Sequence, residues 1–261
     1  MQKLKKSPAF KSAILYLAVI VALIFVIGHS SRVLARIDYF KIKHITANKP
    51  DSGFDFSYLL GRNIFDIDLK KESRYISELY PVYKNIRLFR LLPDRLFINF
   101  NDRRALACIR SYKYFCVDSD LILFDLPKPQ EAPDLPLIIG LERKIPAPRA
   151  GKQYKVKELV LAMDIVQAAE TNNLLRKARI MKIDVTSLAN ISFFIQPQNF
   201  PGGVTSADSK ALEVKIGQDK IAEKISVLAG LLSQSNGDIV NIKYIDLRFK
   251  EAVVKYNEAK K

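Results

Sequence analysis

The sequence predicts an α+β protein: a single N-terminal transmembrane helix, a small unit of order β-α-α-β-β, and a larger mixed α+β unit built on an antiparallel sheet. Three observations carry this reading. A stretch of 20 residues without formal charge, SAILYLAVIVALIFVIGHSS, separates Lys11 from Arg32. From Tyr39 onward, short alternating or β-branched runs follow one another, punctuated by Gly, Pro, Asn and Asp. Two longer segments, 154–173 and 217–232, instead repeat their apolar residues at helical spacing.

The uncharged stretch comes first. At about 1.5 Å rise per residue, roughly 20 residues cross a hydrocarbon core of about 30 Å. A backbone in lipid must satisfy its own hydrogen bonds, so residues 12–31 are expected to be helical. Lys3, Lys5, Lys6 and Lys11 precede it and predict a cytoplasmic tail at 1–11, with residues 33–261 outside. Val33-Leu34-Ala35 resembles a cleavage site, so a removed signal peptide is the competing reading. The length of the apolar run favours an uncleaved anchor. Both readings export the rest of the chain.

Tyr39–Ala47 alternates and reads as a strand. SGFDFSYLLG reads as a short helix stopped by Gly61, and KKESRYISELYP as a second helix ended by Pro81. VYKNIRLFRLLP and RLFINFN read as strands joined through Pro93-Asp94, where proline presets φ for a turn. ALACIR, YKYFCVD, LILFDL and LPLIIG continue the strand series around a proline-rich loop at 127–136. Val156, Leu159, Val160, Met163 and Val166 share one helix face, as do Ile221, Ile225, Leu228 and Leu232. RIMKIDV, ISFFIQ, ALEVKIG and the terminal VNIKYIDLRFKEAVVKY supply further strands. The last five residues, 257–261, read as a disordered tail.

The only cysteines, Cys108 and Cys116, flank a polar turn centred on Tyr112. A hairpin centred there sets them opposite each other at about 4.5–5.5 Å between Cα atoms, within disulfide range. Two readings stand: a cross-strand disulfide, permitted in an exported domain, or two buried thiols acting as small apolar groups. Two cysteines without a nearby histidine do not fill a tetrahedral metal shell.

With 42 basic and 27 acidic residues the formal net charge is +15. That balance favours anionic neighbours such as lipid or wall polymer. The chain holds no run of five basic residues, so no dedicated nucleic-acid face is expected. Catalytic chemistry finds little footing. His29 sits at the membrane edge, and His44 lies on an expected strand. Asp66 and Asp68 are two apart, and Asp68 is accounted for as a helix cap near Lys70. FPGGV at 200–204 lacks the strand-to-helix context of a phosphate loop. The expectation is a protein that binds proteins, with no catalytic residue, cofactor or metal.

Several phrases resemble the FtsQ/DivIB family of bacterial cell-division proteins. LPDRLFINFNDRRALA matches the family's hairpin phrase at Pro93, Leu96, Ile98, Arg103, Ala105 and Ala107, and departs from it at Leu92, Asp102 and Leu106. FCVDSDLILF matches at Asp118 and carries Leu121 where glycine is usual. LPLIIG and IDLRF match two further phrases, in the family's order. The resemblance covers about 1–256. It implies a POTRA domain at 37–105 and an FtsQ-type β domain at 106–256.

It also implies a function. Family members are non-enzymatic, single-pass scaffolds of the divisome, essential-type proteins that link early and late division proteins during septum formation. They sit in the cell inner membrane at the septum, with a cytoplasmic N-terminus. They bind the FtsB/FtsL coiled-coil pair (DivIC/FtsL in other bacteria), whose segment adds as a strand to the end of the β domain. The positions implied here are Arg248 as a charge partner for an acidic residue, Phe249, Val253 and Tyr256 as apolar contacts, and Glu251 at the rim. The POTRA part implies docking of other divisome proteins, and residues 12–31 the bilayer. A second class, a POTRA component of a secretion or outer-membrane assembly system, is disfavoured because no barrel follows.

Overall fold

In a computed structural model, residues 16–22, 24, 38–49, 53–125, 135–196, 211–234 and 238–257 are described. The chain divides into two compact units. One comprises Met1–Leu79 and Tyr83–Asn101, the other Tyr80–Val82 and Asp102–Lys261.

The first unit holds a three-stranded sheet of β1 (His44–Ala47), β2 (Arg87–Leu91) and β3 (Arg95–Asn99), in the order β1-β3-β2. β2 and β3 form the expected hairpin across Pro93-Asp94, and β1 runs parallel to β3. Leu96 and Ile98 of the central strand are buried, as period-two alternation requires. Helix α1 (Leu69–Leu79) buries Ile76. Asp68 starts it, because its Oδ1 accepts the N–H groups of Lys70 and Lys71, both at 3.0 Å. Those backbone donors hold the Asp68 carboxyl below its ordinary value.

One expected helix is corrected. SGFDFSYLLG forms only a 3-10 turn, Ser57–Leu59. The side chain of Asp55 accepts the Ser57 N–H at 2.9 Å and closes a local turn. Gly53 and Gly61 both take positive φ at the flanks. Phe54 and Phe56, two apart as on a strand, turn to Phe100 with ring centroids at 4.5 and 6.2 Å.

The second unit is a nine-stranded sheet with two helices. Its elements are β4 (Ala107–Arg110), β5 (Tyr114–Val117), β6 (Leu123–Phe124), β7 (Leu137–Ile139), α2 (Lys157–Thr171), β8 (Arg179–Asp184), β9 (Ser192–Gln196), β10 (Leu212–Lys215), α3 (Ile221–Gln234), β11 (Ile242–Asp246) and β12 (Val253–Tyr256). The spatial order is β12-β11-β10-β9-β8-β7-β4-β5-β6. The expectation of an antiparallel sheet is corrected here: β4–β7, β7–β8 and β10–β11 are parallel. Two of these pairs follow from helices, since α2 lies between β7 and β8 and α3 between β10 and β11, and parallel neighbours need a crossover; between β4 and β7 the chain passes through β5 and β6 instead.

Register explains which side chains form the core. One row crosses the sheet as Val254, Ile245, Val214, Phe193, Ile183, Ile138, Ile109 and Phe115. Every member is apolar, and the row packs in one core with Leu159 and Met163 of α2 and with Ile225 and Leu228 of α3. Burying a side chain of this size contributes roughly 1.5–3 kcal/mol. The next row belongs to the opposite face: Lys255, Tyr244, Glu213, Phe194, Lys182, Leu137, Cys108, Cys116 and Phe124. Its first members are polar or aromatic, with Lys182 Nζ 4.2 Å from the Phe194 ring centre. Its last members form a small second apolar cluster with Val82, Ala105 and Leu135.

Residues 16–22 and 24 are helical, and Leu17, Ile20 and Ile24 point outward. Among the described residues no helix is long and apolar enough to cross a membrane. The rest of the 12–31 segment, the 1–11 tail, His29, the proline-rich residues 127–134, the glycine turn at 200–204 and residues 258–261 lie outside the described residues.

Candidate partner-binding edge

Among the described residues β12 occupies one end of the nine-stranded sheet and pairs only with β11 in the strand order. Its pairing fixes which backbone groups are used. The Asn257 N–H donates to the Asn241 carbonyl at 2.7 Å, so residue 257 faces β11. Antiparallel ladders alternate, so Lys255 and Val253 face β11 as well. The N–H and C=O groups of Val254 and Tyr256 then point off the free edge. Side chains alternate independently of this. Val254 packs against the core, while Val253 and Tyr256 are 47% and 56% exposed.

The segment between β11 and β12 is built on Asp246 and Leu247, both buried. Asp246 Oδ1 accepts the backbone N–H of Arg248 at 3.0 Å and fixes a turn. The Arg248 guanidinium folds back onto the same carboxylate, with Nε 2.9 Å from Oδ1 and Nη2 2.6 Å from Oδ2. Its Nη1 also donates to Asn190 Oδ1. These donors favour ionised Asp246 and hold its carboxyl below the usual carboxylate value. Phe249 follows, 62% exposed, with the guanidinium carbon 5.9 Å from its ring centre. Glu251 is exposed in the bend before β12.

The edge therefore brings Phe249, Glu251, Val253 and Tyr256 into one short exposed segment. Within the chain Arg248 pairs with Asp246, two residues upstream. The D-x-R spacing in IDLRF was the available signal, since residues i and i+2 of an extended chain share a side. The outward backbone of Val254 and Tyr256 was not visible in sequence, because it depends on register.

Two other pairs meet in this unit, of which the sequence suggested only the cysteines. Arg103 Nη1 lies 2.5 Å from Asp118 Oδ2, and Arg103 Nε donates to the Pro81 carbonyl at 2.8 Å. Cys108 and Cys116 are direct cross-strand partners, with free thiols and Sγ atoms 3.0 Å apart. In the first unit β1 is also a sheet end, and a cavity of about 620 Å³ beside it is lined by Lys43, His44, Thr46, Lys49, Phe54 and Phe56 among others. Among the described residues no group of three or more His, Cys, Asp or Glu could hold a metal ion.

Fold and edge together define a two-unit mixed α+β protein whose final strand is an open sheet border. No protein-family model matches the chain. It is similar to the cell division protein FtsQ of Syntrophotalea carbinolica, 23% identical over 223 residues, which cover 83% of this chain and 74% of that protein. It is also similar to the cell division protein FtsQ of Koribacter versatilis, 22% identical over 198 residues, or 75% of this chain and 52% of that protein. The chain thus spans about half the length of the second relative. Both relatives carry the name of the family that the sequence phrases resemble.

Proposed function

We propose that this protein is a non-enzymatic, single-pass scaffold of the divisome, held in the inner membrane at the division septum, and that β12 takes up a strand from an FtsB/DivIC-like partner bound to its FtsL-like companion. The observation that supports this reading most is the edge itself. β12 leaves N–H and C=O groups of Val254 and Tyr256 directed outward, and an added strand satisfies them. Phe249, Val253 and Tyr256 supply exposed apolar surface beside that backbone, with Glu251 at the rim. Arg248, paired with Asp246 at the start of this segment, is the charge partner proposed for an acidic residue of the incoming strand. The names of the two relatives support a role in cell division.

The apolar segment 12–31 supports the anchor, and the lysines before it the cytoplasmic tail. The first unit is proposed as a POTRA domain that docks further divisome proteins, with its open β1 edge the surface available for it.

The test is binding of the full chain, in detergent, to the FtsB/FtsL-like pair from the same genome. Wild type is compared with Val253→Asp and Phe249→Ala. Binding lost in both variants, with unchanged circular dichroism, supports the reading. Binding that survives both moves the interface away from β12. No binding by wild type counts against the scaffold reading itself.

A further inference from the structure

We infer that Cys108 and Cys116 form an oxidation site, closing into an intramolecular disulfide that staples β4 to β5. The inference stands on the hairpin and does not rest on the partner reading above.

The register supplies the geometry. The two residues are direct cross-strand partners. The Cys108 N–H donates to the Pro136 carbonyl at 2.8 Å, toward β7 and away from β5. The cysteines are therefore a non-hydrogen-bonded pair of the β4–β5 ladder. That is the pair type whose Cα atoms approach to about 4.5 Å with side chains closest. Disulfides span Cα separations of about 4.4–6.8 Å. The Sγ atoms already lie 3.0 Å apart. Around them stand Phe124, Val82, Ala105 and Leu137, an apolar cluster on the sheet face opposite the main core. The chain holds only these two cysteines, so neither has another intramolecular partner.

The oxidant is the disulfide form of a dithiol oxidoreductase or of a small thiol. One cysteine thiolate attacks one oxidant sulfur, the oxidant S–S bond breaks, and a mixed disulfide forms. The other cysteine, deprotonated in turn, attacks the first and displaces the oxidant sulfur from it. The S–S bond closes, and the oxidant leaves as two thiols carrying both electrons and both protons. Cys108 and Cys116 are 3% and 0% exposed in the folded unit. Exchange therefore runs while the hairpin is still open, and the folded protein shields the finished bond from reductant.

The test uses the full chain in detergent, reduced in denaturant and refolded in a glutathione redox buffer. Thiols are then counted under denaturing conditions by alkylation and intact mass. The expected result is no free thiol, a mass lower by two hydrogens, and one cross-linked peptide containing Cys108 and Cys116. Dithiothreitol should open the bond in urea but not in the native state. The thermal midpoint of the oxidised protein should exceed that of the reduced one. The double variant Cys108→Ala, Cys116→Ala should show a single midpoint in both buffers. As a check independent of refolding, cells are lysed directly into denaturant with maleimide, where protection of both cysteines until reduction is expected. Two free thiols after both procedures, glutathione adducts, or intermolecular dimers in place of the closed bond would overturn the inference.

Discussion

Arg103 and Asp118, 15 residues apart in sequence, meet at 2.5 Å with only 9% and 2% of their side chains exposed. Each is held from more than one side. Arg103 Nε donates to the Pro81 carbonyl, and Asp118 Oδ1 accepts the N–H groups of Asp120 and Ile122, both at 3.0 Å. The buried guanidinium neutralises a carboxylate that water cannot reach. Both residues belong to the phrases on which the family resemblance rests, so those phrases mark a structural pair.

Removing one partner strands the other. Arg103→Ala leaves Asp118 buried without its counter-charge, which costs about 3–5 kcal/mol. Arg103→Lys keeps the charge but loses the fork that reaches Pro81 and Asp118 together, so a smaller loss is expected. Urea unfolding followed by circular dichroism reads both. Equal stability of Arg103→Ala and wild type would show that the pair contributes nothing net.

Gly140, the last residue of LPLIIG, is a second structural position in those phrases. It takes φ +93°, and a Cβ built there would lie 2.3 Å from the Thr186 backbone nitrogen. The obstacle is backbone and cannot rotate away. Gly140→Ala is expected to destabilise the second unit by more than about 2 kcal/mol, combining conformational strain with displacement of the 185–186 turn. Gly230→Ala is the control. That glycine lies in α3, and a Cβ there meets nothing within 4 Å. It should hold or raise the unfolding midpoint, because alanine is the better helix former by about 1 kcal/mol.

What could be read from the sequence was what local periodicity encodes. The apolar spacing of 157–171 and 221–234 led directly to α2 and α3, and Pro93-Asp94 to the β2–β3 turn. The 3-10 turn at Ser57–Leu59 was misread as a helix, because a local side-chain bond from Asp55 competes with helix and leaves no periodic trace. Strand direction is not periodic information either. The β7–β8 and β10–β11 parallel pairs follow from two crossover helices, which were their sequence signal, while the β4–β7 pair has no interposed helix and left none. At the candidate edge the exposed apolar residues were legible. The outward groups of Val254 and Tyr256 were not, since one residue of register reverses them.

The Asp246–Arg248 pair makes stability depend on acid. The folded carboxyl titrates below its ordinary value because Arg248 donates to the ionised form. Its contribution is therefore complete above the unfolded carboxylate value of about 3.9. It is lost as pH falls through the lower folded value, where the native state must finally take up the proton. Thermal midpoints of the second unit should fall more steeply below about pH 4 for wild type than for Asp246→Asn. Asp246→Asn should already start lower at neutral pH. A variant profile parallel to wild type across that range would show that Asp246 does not carry the dependence.

The alternation of β12 yields a sharper test of strand addition than side-chain truncation. Proline lacks an N–H, so its effect depends on which side that N–H faced. At Tyr256 the N–H points off the edge, and at Lys255 it points to β11. Lys255→Pro should weaken the β11–β12 ladder and lower the unfolding midpoint. Tyr256→Pro should leave stability within about 0.5 kcal/mol of wild type, as at other exposed sites. If an added strand uses the free edge, Tyr256→Pro should still weaken partner binding about tenfold, because one bond of the new ladder is lost and its acceptor is left unpaired. Tyr256→Ala separates the backbone from the ring, because it removes the aromatic contact and keeps the N–H, and it should bind more tightly than Tyr256→Pro. Full binding by Tyr256→Pro would exclude this edge as the site of strand pairing, and the open β1 edge of the first unit would become the surface to test by the same substitution logic at Ile45 and Ala47.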